Sequence, residues 1–441
     1  AVGYAENATF SNVYADTNWD IDNKNNATFN VGGLFGYINN SQNIDTMYAK
    51  GIIKLNANNG INNVGGAFGQ VVMARSEEYS YSINKVVADN DIKVTFETNN
   101  GTGNIGGFVG KIYNGVITKC STTSDITVTG SDISKVNLNV GGFVGITDIT
   151  NEMGYLRNTK VRRITINDCY ATNDIDLAKM FINSTQHKAG LFIGTIETYI
   201  ADTVDKTVDI NNNYTIGKFV YSTINTSAYE ERENKGGFLG GFNTNIDTLS
   251  YISKLKNIVM YNNIYNRDFV SYTNEYGDAK STKEMLFNAS STFSGLEVNN
   301  SFTNTNPEIW IVDNNKYPQL KWINDLKIAG QSISSLQANG TKVVPDYRDS
   351  SIPLNGVKDI TYILNIANAI ISGDIKDSTI YFNTDTKQTS LSSWSNVTLD
   401  YKSVIYGINT NANSITNPII SNNNGLIVDT AISNNLFGIN N

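Results

Sequence analysis

Along the first 280 positions, apolar residues recur in short alternating runs separated by polar turns, and one run returns almost unchanged. It reads Val31-Gly32-Gly33-Leu34-Phe35-Gly36 at its first appearance. Val64-Gly65-Gly66-Ala67-Phe68-Gly69, Ile105-Gly106-Gly107-Phe108-Val109-Gly110 and Val140-Gly141-Gly142-Phe143-Val144-Gly145 follow. Lys188-Ala189-Gly190-Leu191-Phe192-Ile193-Gly194 reads as a degenerate copy with one extra apolar residue, and Lys235-Gly236-Gly237-Phe238-Leu239-Gly240 is the last. The second glycine falls at 33, 66, 107, 142, 190 and 237, in steps of 33, 41, 35, 48 and 47 residues. Self-similarity at this period marks a stacked repeat architecture.

A second phrase lies between the copies: an apolar, Cys or Tyr start, a polar turn, then Asp-Ile and alternation. Its clearest forms are 87–94 (VADNDIKV), 120–128 (CSTTSDITV) and 169–177 (CYATNDIDL). Weaker forms stand at 14–21, 48–55 and 214–220. Each repeat is therefore expected to hold three strands, with period-two alternation placing one set of side chains inward. Phe, Leu and Val after the glycine pair should stack on their equivalents in the next repeat. Glycine fits such a corner because it accepts positive φ or a close neighbouring backbone. A phosphate-cradling loop would need a following helix and Lys-Ser or Lys-Thr, and neither is present.

The repeated phrase resembles the GLUG motif of bacterial cell-surface proteins. The resemblance covers residues 1–323. After the repeats, Ser281-Thr282-Lys283-Glu284-Met285, Phe293-Ser294-Gly295, Trp310-Ile311 and Tyr317-Pro318-Gln319-Leu320 are similar to the run that closes such arrays, with Leu296 where a Trp is usual. The resemblance implies an all-β chain, a right-handed parallel β-helix (β-solenoid) with loop insertions and a C-terminal cap, secreted or held at a bacterial surface. The expected organisation is a repeat array over 1–280, a capping segment over 281–323 and a β-rich module over 324–441. That module has candidate strands at 342–344, 360–371, 378–382, 397–401 and 404–408, and its end, 425–438, reads as another coil. The chain is read as a segment of a longer exported protein.

Composition narrows the function. Of 441 residues, 40% are hydrophobic, 10% aromatic and only 17% charged, which gives ample material for a core and argues against disorder. The net charge of −8 argues against nucleic acid as a partner, which calls for a basic stripe. No apolar stretch is long enough to span a bilayer as a helix, so membrane insertion by this segment is not expected. Cys120 and Cys169 hold matching places in consecutive repeats, either as stacked core neighbours or as a disulfide. Asparagine suits turns, and its side chains can also stack as ladders.

Little in the chain suggests catalysis. The one histidine, His187, lies in a polar stretch and reads as a solvated turn residue. Two-histidine zinc motifs and calcium-loop motifs are lacking, so no metal and no cofactor is expected. Asp20/Asp22 and Asp174/Asp176 are spaced to share one strand face, but the intervening Ile21 and Ile175 make that face the solvated one. Extra residues enter near 72–82, 146–163, 196–208 and 222–234, and insertions in repeat proteins often form the binding face. Arg157, Lys160, Arg162 and Arg163 form a local basic cluster in one of them. Tyr79 and Tyr81, with Tyr272 and Tyr276, are candidate aromatic contacts for sugar rings or a protein partner. The expected function is a non-enzymatic adhesin or surface module that attaches to a host or cell-surface glycan or protein. The alternatives are a substrate-positioning region of a larger surface peptidase and a polysaccharide-cleaving enzyme. The residues tied to architecture are Gly32, Gly33, Gly36, Gly65, Gly66, Gly69, Gly106, Gly107, Gly110, Gly141, Gly142, Gly145, Gly190, Gly194, Gly236, Gly237 and Gly240.

Overall fold

The computed structural model describes residues 2–23, 28–41, 43–57, 59–73, 82–97, 100–130, 135–149, 161–177, 187–198, 205–220, 235–244, 258–267, 276–281, 284–285, 289–298, 309–312, 317–325, 327–328, 331–332, 379–382, 397–400, 404–406, 418–422 and 425–427. The described chain is predominantly β, and the repeats pair through parallel strands.

Three ladders run through the repeats. The first holds the strands that end on the first glycine of each phrase: Phe29–Gly32, Ile61–Gly65, Gly101–Gly106, Val136–Gly141, His187–Gly190 and Lys235–Gly236. The second holds the strands that follow the phrase, among them Phe35–Asn39, Phe68–Val72, Val144–Asp148, Ile193–Thr198 and Leu239–Thr244. The third carries the Asp-Ile phrase, beginning with Phe10–Asp22, Asn43–Ala57 and Ser82–Phe96. Register is kept from repeat to repeat: Val64 pairs with Ile105, Ile105 with Val140, and Val140 with Ala189. Two apolar cores lie against the third ladder. One gathers Val64, Ile105 and Val140 with Ile53, Ile92 and Ile126; the other gathers Phe68, Ile112 and Phe143 with Met47 and Val86.

Between the first and second ladders the chain always turns in two residues, from Gly32 to Phe35 and from Gly141 to Val144 alike. Here the glycines serve close approach. A methyl group on Gly141 would overlap the Val144 carbonyl, and one on Gly142 the Leu191 carbonyl of the next repeat. No glycine of the phrase has positive φ among the described residues. The degenerate copy is resolved by register: Gly141 pairs with Gly190, so Leu191 replaces a second glycine and no residue is inserted.

The ring stack expected behind the phrase is present. Phe35–Phe68, Phe68–Phe108, Phe108–Phe143, Phe143–Phe192 and Phe192–Phe238 have centroid distances of 5.8, 5.4, 4.5, 4.9 and 4.7 Å. Phe35 and Phe68 are the second residue after the glycine pair, while Phe108 is the first. The stack passes between these positions at an edge-on step of 64° and so keeps its aromatic volume.

Left-handed backbone occurs at another corner. Asn12, Thr46, Lys85, Lys119, Asp168, Asn212 and Asn262 have φ of 56, 57, 53, 54, 55, 59 and 50°. They hold equivalent places, each just before the column Val13, Met47, Val86, Cys120, Cys169, Asn213 and Asn263. Cys120 and Cys169 are free and fully buried. Burial pushes the Cys169 thiol well up, and the neighbouring Cys120 adds to the shift. Asn213 continues their column, accepting from the Cys169 N–H at 2.9 Å and donating to Asn263 at 3.0 Å.

The segment after the repeats reaches sideways along these corners. Trp310 Nε1 donates to Asp168 Oδ1 at 3.1 Å, Trp322 Nε1 to the Lys119 carbonyl at 3.0 Å, and Asn262 Nδ2 to the Gly295 carbonyl at 3.2 Å. Tyr214 donates its hydroxyl to the Pro318 carbonyl. Lys327–Ile328 lies beside Phe10–Asp22 and Asn43–Ala57. The order Gly295, Trp310, Trp322, Ile328 thus moves from late repeats toward early ones. In the C-terminal part, Thr379–Phe382, Val397–Asp400, Val404–Tyr406, Pro418–Asn422 and Gly425–Ile427 pair antiparallel. Gly425–Ile427 is one arm of a hairpin with Pro418–Asn422, which corrects the expectation of another parallel coil there. Expected strands at 342–344 and 360–371 lie outside the described residues.

Candidate binding surface

Polar side chains of the first ladder alternate with Val64, Ile105 and Val140 and face away from the core. Asn63 Nδ2 donates to Asn30 Oδ1 at 2.7 Å, Asn104 to Asn63 at 2.7 Å, and Asn139 to Asn104 at 2.8 Å. This ladder of amides touches a row on the second ladder. Asn63 donates to Gln70 Oε1 at 3.0 Å, and Thr195 Oγ1 to Asn139 Oδ1 at 2.5 Å. An amide suits such a column because it donates on one side and accepts on the other.

Asn63, Asn104 and Asn139 are buried, and two lysines interrupt their neutral row. Lys188 takes the place after Asn139, and Lys111 the place after Gln70. Lys111 Nζ lies 2.8 Å from Asp148 Oδ2 and 4.4 Å from the centre of the Tyr113 ring. Asp148 is in register with Glu197 on the next strand. Burial drives the Lys111 amine down, but Asp148 and Tyr113 together outweigh it and the net shift is upward. Burial raises Glu197, with the Asp148 charge adding to it, and burial lowers Lys188, with Glu197 partly opposing. The result is a charge-balanced polar floor whose amides from Asn63 to Asn139, Lys111 and Asp148 are buried, with Lys188 and Glu197 half-buried at its edge.

This floor stands at the foot of four excursions. The chain leaves the second ladder after Val72, Asp148, Thr198 and Thr244 and rejoins the third at Ser82, Val161, Asp205 and Ile258. Three of the four expected insertions therefore share one corner. The fourth, 222–234, falls at a different one, between Phe219–Val220 and Lys235–Gly236.

Of the basic cluster, Arg157 and Lys160 lie outside the described residues, as do Tyr79, Tyr81 and Tyr272. Arg162 is in the strand Val161–Asn167. Arg163 binds Asp209 in the next repeat, with Nη2 at 2.6 Å, so its charge is matched within the protein. Tyr276 packs edge-on against Phe242 at 5.0 Å. His187 is fully buried at the start of His187–Gly190, in register with Leu138; this corrects its reading as a solvated turn residue. Local sequence offers no reason to group Lys111, Asp148, Lys188 and Glu197. One signal was available: Asp148 and Glu197 each stand three residues after the last glycine of a phrase, at Gly145 and Gly194.

Among the described residues, no group of three or more His, Cys, Asp and Glu side chains could hold a metal ion. No helix among them is long and apolar enough to cross a membrane. No protein-family model, curated protein or solved structure matches this chain.

Proposed function

We propose that the repeats form a right-handed β-solenoid of the GLUG kind. In this reading it is a non-enzymatic module of a secreted or surface-held bacterial protein, and it attaches to a cell-surface glycan. The observation that supports the reading is the placing of insertions: the glycine corner is held at two residues, while the excursions after Val72, Asp148, Thr198 and Thr244 leave from one other corner. Recognition placed on such loops leaves stacking untouched. Of the basic residues, Arg157 and Lys160 carry the ligand contact and Arg163 holds two repeats together. The test replaces Arg157 and Lys160 with Ser and, separately, exchanges 150–160 for a short Asn-Gly turn. Attachment to cells and to a glycan array is then measured at low and moderate salt, with circular dichroism as the fold control. The reading expects binding that weakens with salt and falls in both variants. Unchanged attachment by both folded variants would remove this excursion as the contact.

A further inference from the structure

Cys120 and Cys169 lie side by side on consecutive repeats. The pairs Thr118–Asn167 and Ser121–Tyr170 bracket them, and the Tyr170 N–H donates to the Cys120 carbonyl at 3.1 Å. One strand spacing, about 4.8 Å, falls inside the Cα separation of roughly 4.4–6.8 Å that a disulfide spans. The thiols are nevertheless free, and each is aimed at its own strand. Cys120 Sγ donates to the Thr118 carbonyl at 3.1 Å, and Cys169 Sγ to the Asn167 carbonyl at 3.2 Å. Joining them requires a side chain to rotate inside a packed corner, since both are fully buried. Burial also keeps the Cys169 thiol protonated, and a thiol without its thiolate exchanges slowly.

The segment that returns over the corners grips the shoulders of this pair. Trp322 donates to the carbonyl of Lys119, the residue before Cys120, and Trp310 to Asp168, the residue before Cys169. The Trp310 ring lies 6.3 Å from that of Tyr170, the residue after Cys169. Tyr317, Leu320 and Ile323 of the same segment are fully buried, so it is seated as a packed element. Left-handed backbone at Lys119, with φ of 54°, costs energy that this grip offsets.

We propose that the segment carrying Trp310 and Trp322 is a redox guard over Cys120 and Cys169. Seated, it keeps both as thiols. Lifted, it lets an oxidant of the small-disulfide class, RSSR, join them across two repeats. One thiolate attacks RSSR and releases RSH; the other then displaces a second RSH from the mixed disulfide. Two electrons and two protons leave the cysteines, and the oxidant departs as two thiols. The inference does not depend on what the loop corner binds.

The test exposes the whole 441-residue chain, first fully reduced, to oxidised glutathione. Samples are quenched with an alkylating reagent in denaturant, and intact mass separates two labels, an internal disulfide and a glutathione adduct. The proteins are wild type, Trp310→Ala/Trp322→Ala, Trp322→Phe, which keeps an aromatic ring but loses the donor, and Asn104→Ala, which weakens the fold on the first ladder. The double variant should form the internal disulfide at least about tenfold faster than wild type, since two hydrogen bonds and two buried rings are lost. Trp322→Phe should fall between them, and Asn104→Ala should match wild type because the opening is local. Equal rates in wild type and both tryptophan variants would overturn the proposal. So would glutathione adducts in place of the internal bond, no oxidation in any of the proteins, or an Asn104→Ala rate equal to that of the double variant.

Discussion

Leu191 occupies in the fifth repeat the place that Gly142 holds in the fourth. Gly141 pairs with Gly190, and the Gly142 N–H donates to the Gly190 carbonyl at 3.0 Å. A methyl group on Gly142 would overlap the Leu191 carbonyl, while Leu191 itself is fully buried in a core cluster. The glycine requirement therefore depends on which backbone lies beyond it, and the stack tolerates a large side chain at one step.

This fixes a first prediction. Gly142→Val should lower unfolding free energy by at least about 2 kcal/mol, because the clash is with backbone that cannot swing away. Asp174→Asn, on a half-exposed face, should stay within about 0.5 kcal/mol of wild type. Urea titrations of the two variants check this, and similar midpoints would count against the corner.

The amide ladder gives a second. Asn104 donates to Asn63 and accepts from Asn139. Asn104→Ala strands a buried acceptor on one neighbour and a buried donor on the other, at about 1–3 kcal/mol each. Asn30→Ala should cost much less, since the Asn63 amide it releases still reaches Gln70. Thermal unfolding should rank Asn104→Ala well below Asn30→Ala.

At the left-handed corner, Thr46 is the only β-branched residue among the seven positions. Branching at Cβ makes positive φ especially costly, whereas asparagine tolerates it. Thr46→Asn should raise stability by about 0.5–1 kcal/mol and so shift the melting temperature upward. A lower melting temperature would mean that the Thr46 hydroxyl contact with Asp45, at 2.6 Å, outweighs backbone relief.

Glu197 predicts a pH dependence. Burial and Asp148 raise its folded pKa above the usual carboxylate value. Such a group adds stability that is fully present below its unfolded pKa and is lost as pH rises through its folded pKa. Glu197→Gln should therefore be more stable than wild type at neutral pH, with the gap closing as pH falls through the raised folded pKa and closed by about 4.5, the ordinary carboxylate value. A gap that does not change with pH would show that the carboxylate is not strained.

How far the sequence disclosed this fold depends on which residues carry it. The glycine phrase, the aromatic stack and the inward Ile175 were legible because repetition places like beside like. The degenerate copy was misaligned because Leu191 hides a glycine place that only strand pairing exposes. His187 read as a turn residue because its polar neighbours mask the strand that begins on it. The floor of Lys111, Asp148, Lys188 and Glu197 was not legible: its members come from three repeats, and two excursions of unequal length disturb their spacing. The path of Trp310 and Trp322 back over Asp168 and Lys119 has no local signal, since a tryptophan that covers a distant corner looks the same as one that covers its own.

The central claim is that repeats far apart in sequence lie in register along one continuous stack. Asp20 pairs with Lys54, Lys54 with Lys93, Lys93 with Thr127, and Thr127 with Asp176. Nitroxide labels at residues 20 and 176, in a background with Cys120 and Cys169 replaced by alanine, measure those four steps directly by pulsed electron resonance. At one strand spacing per step, the account predicts a single narrow distance of about 19 Å. A distance beyond about 30 Å, more than six such spacings, or a broad distribution would contradict it.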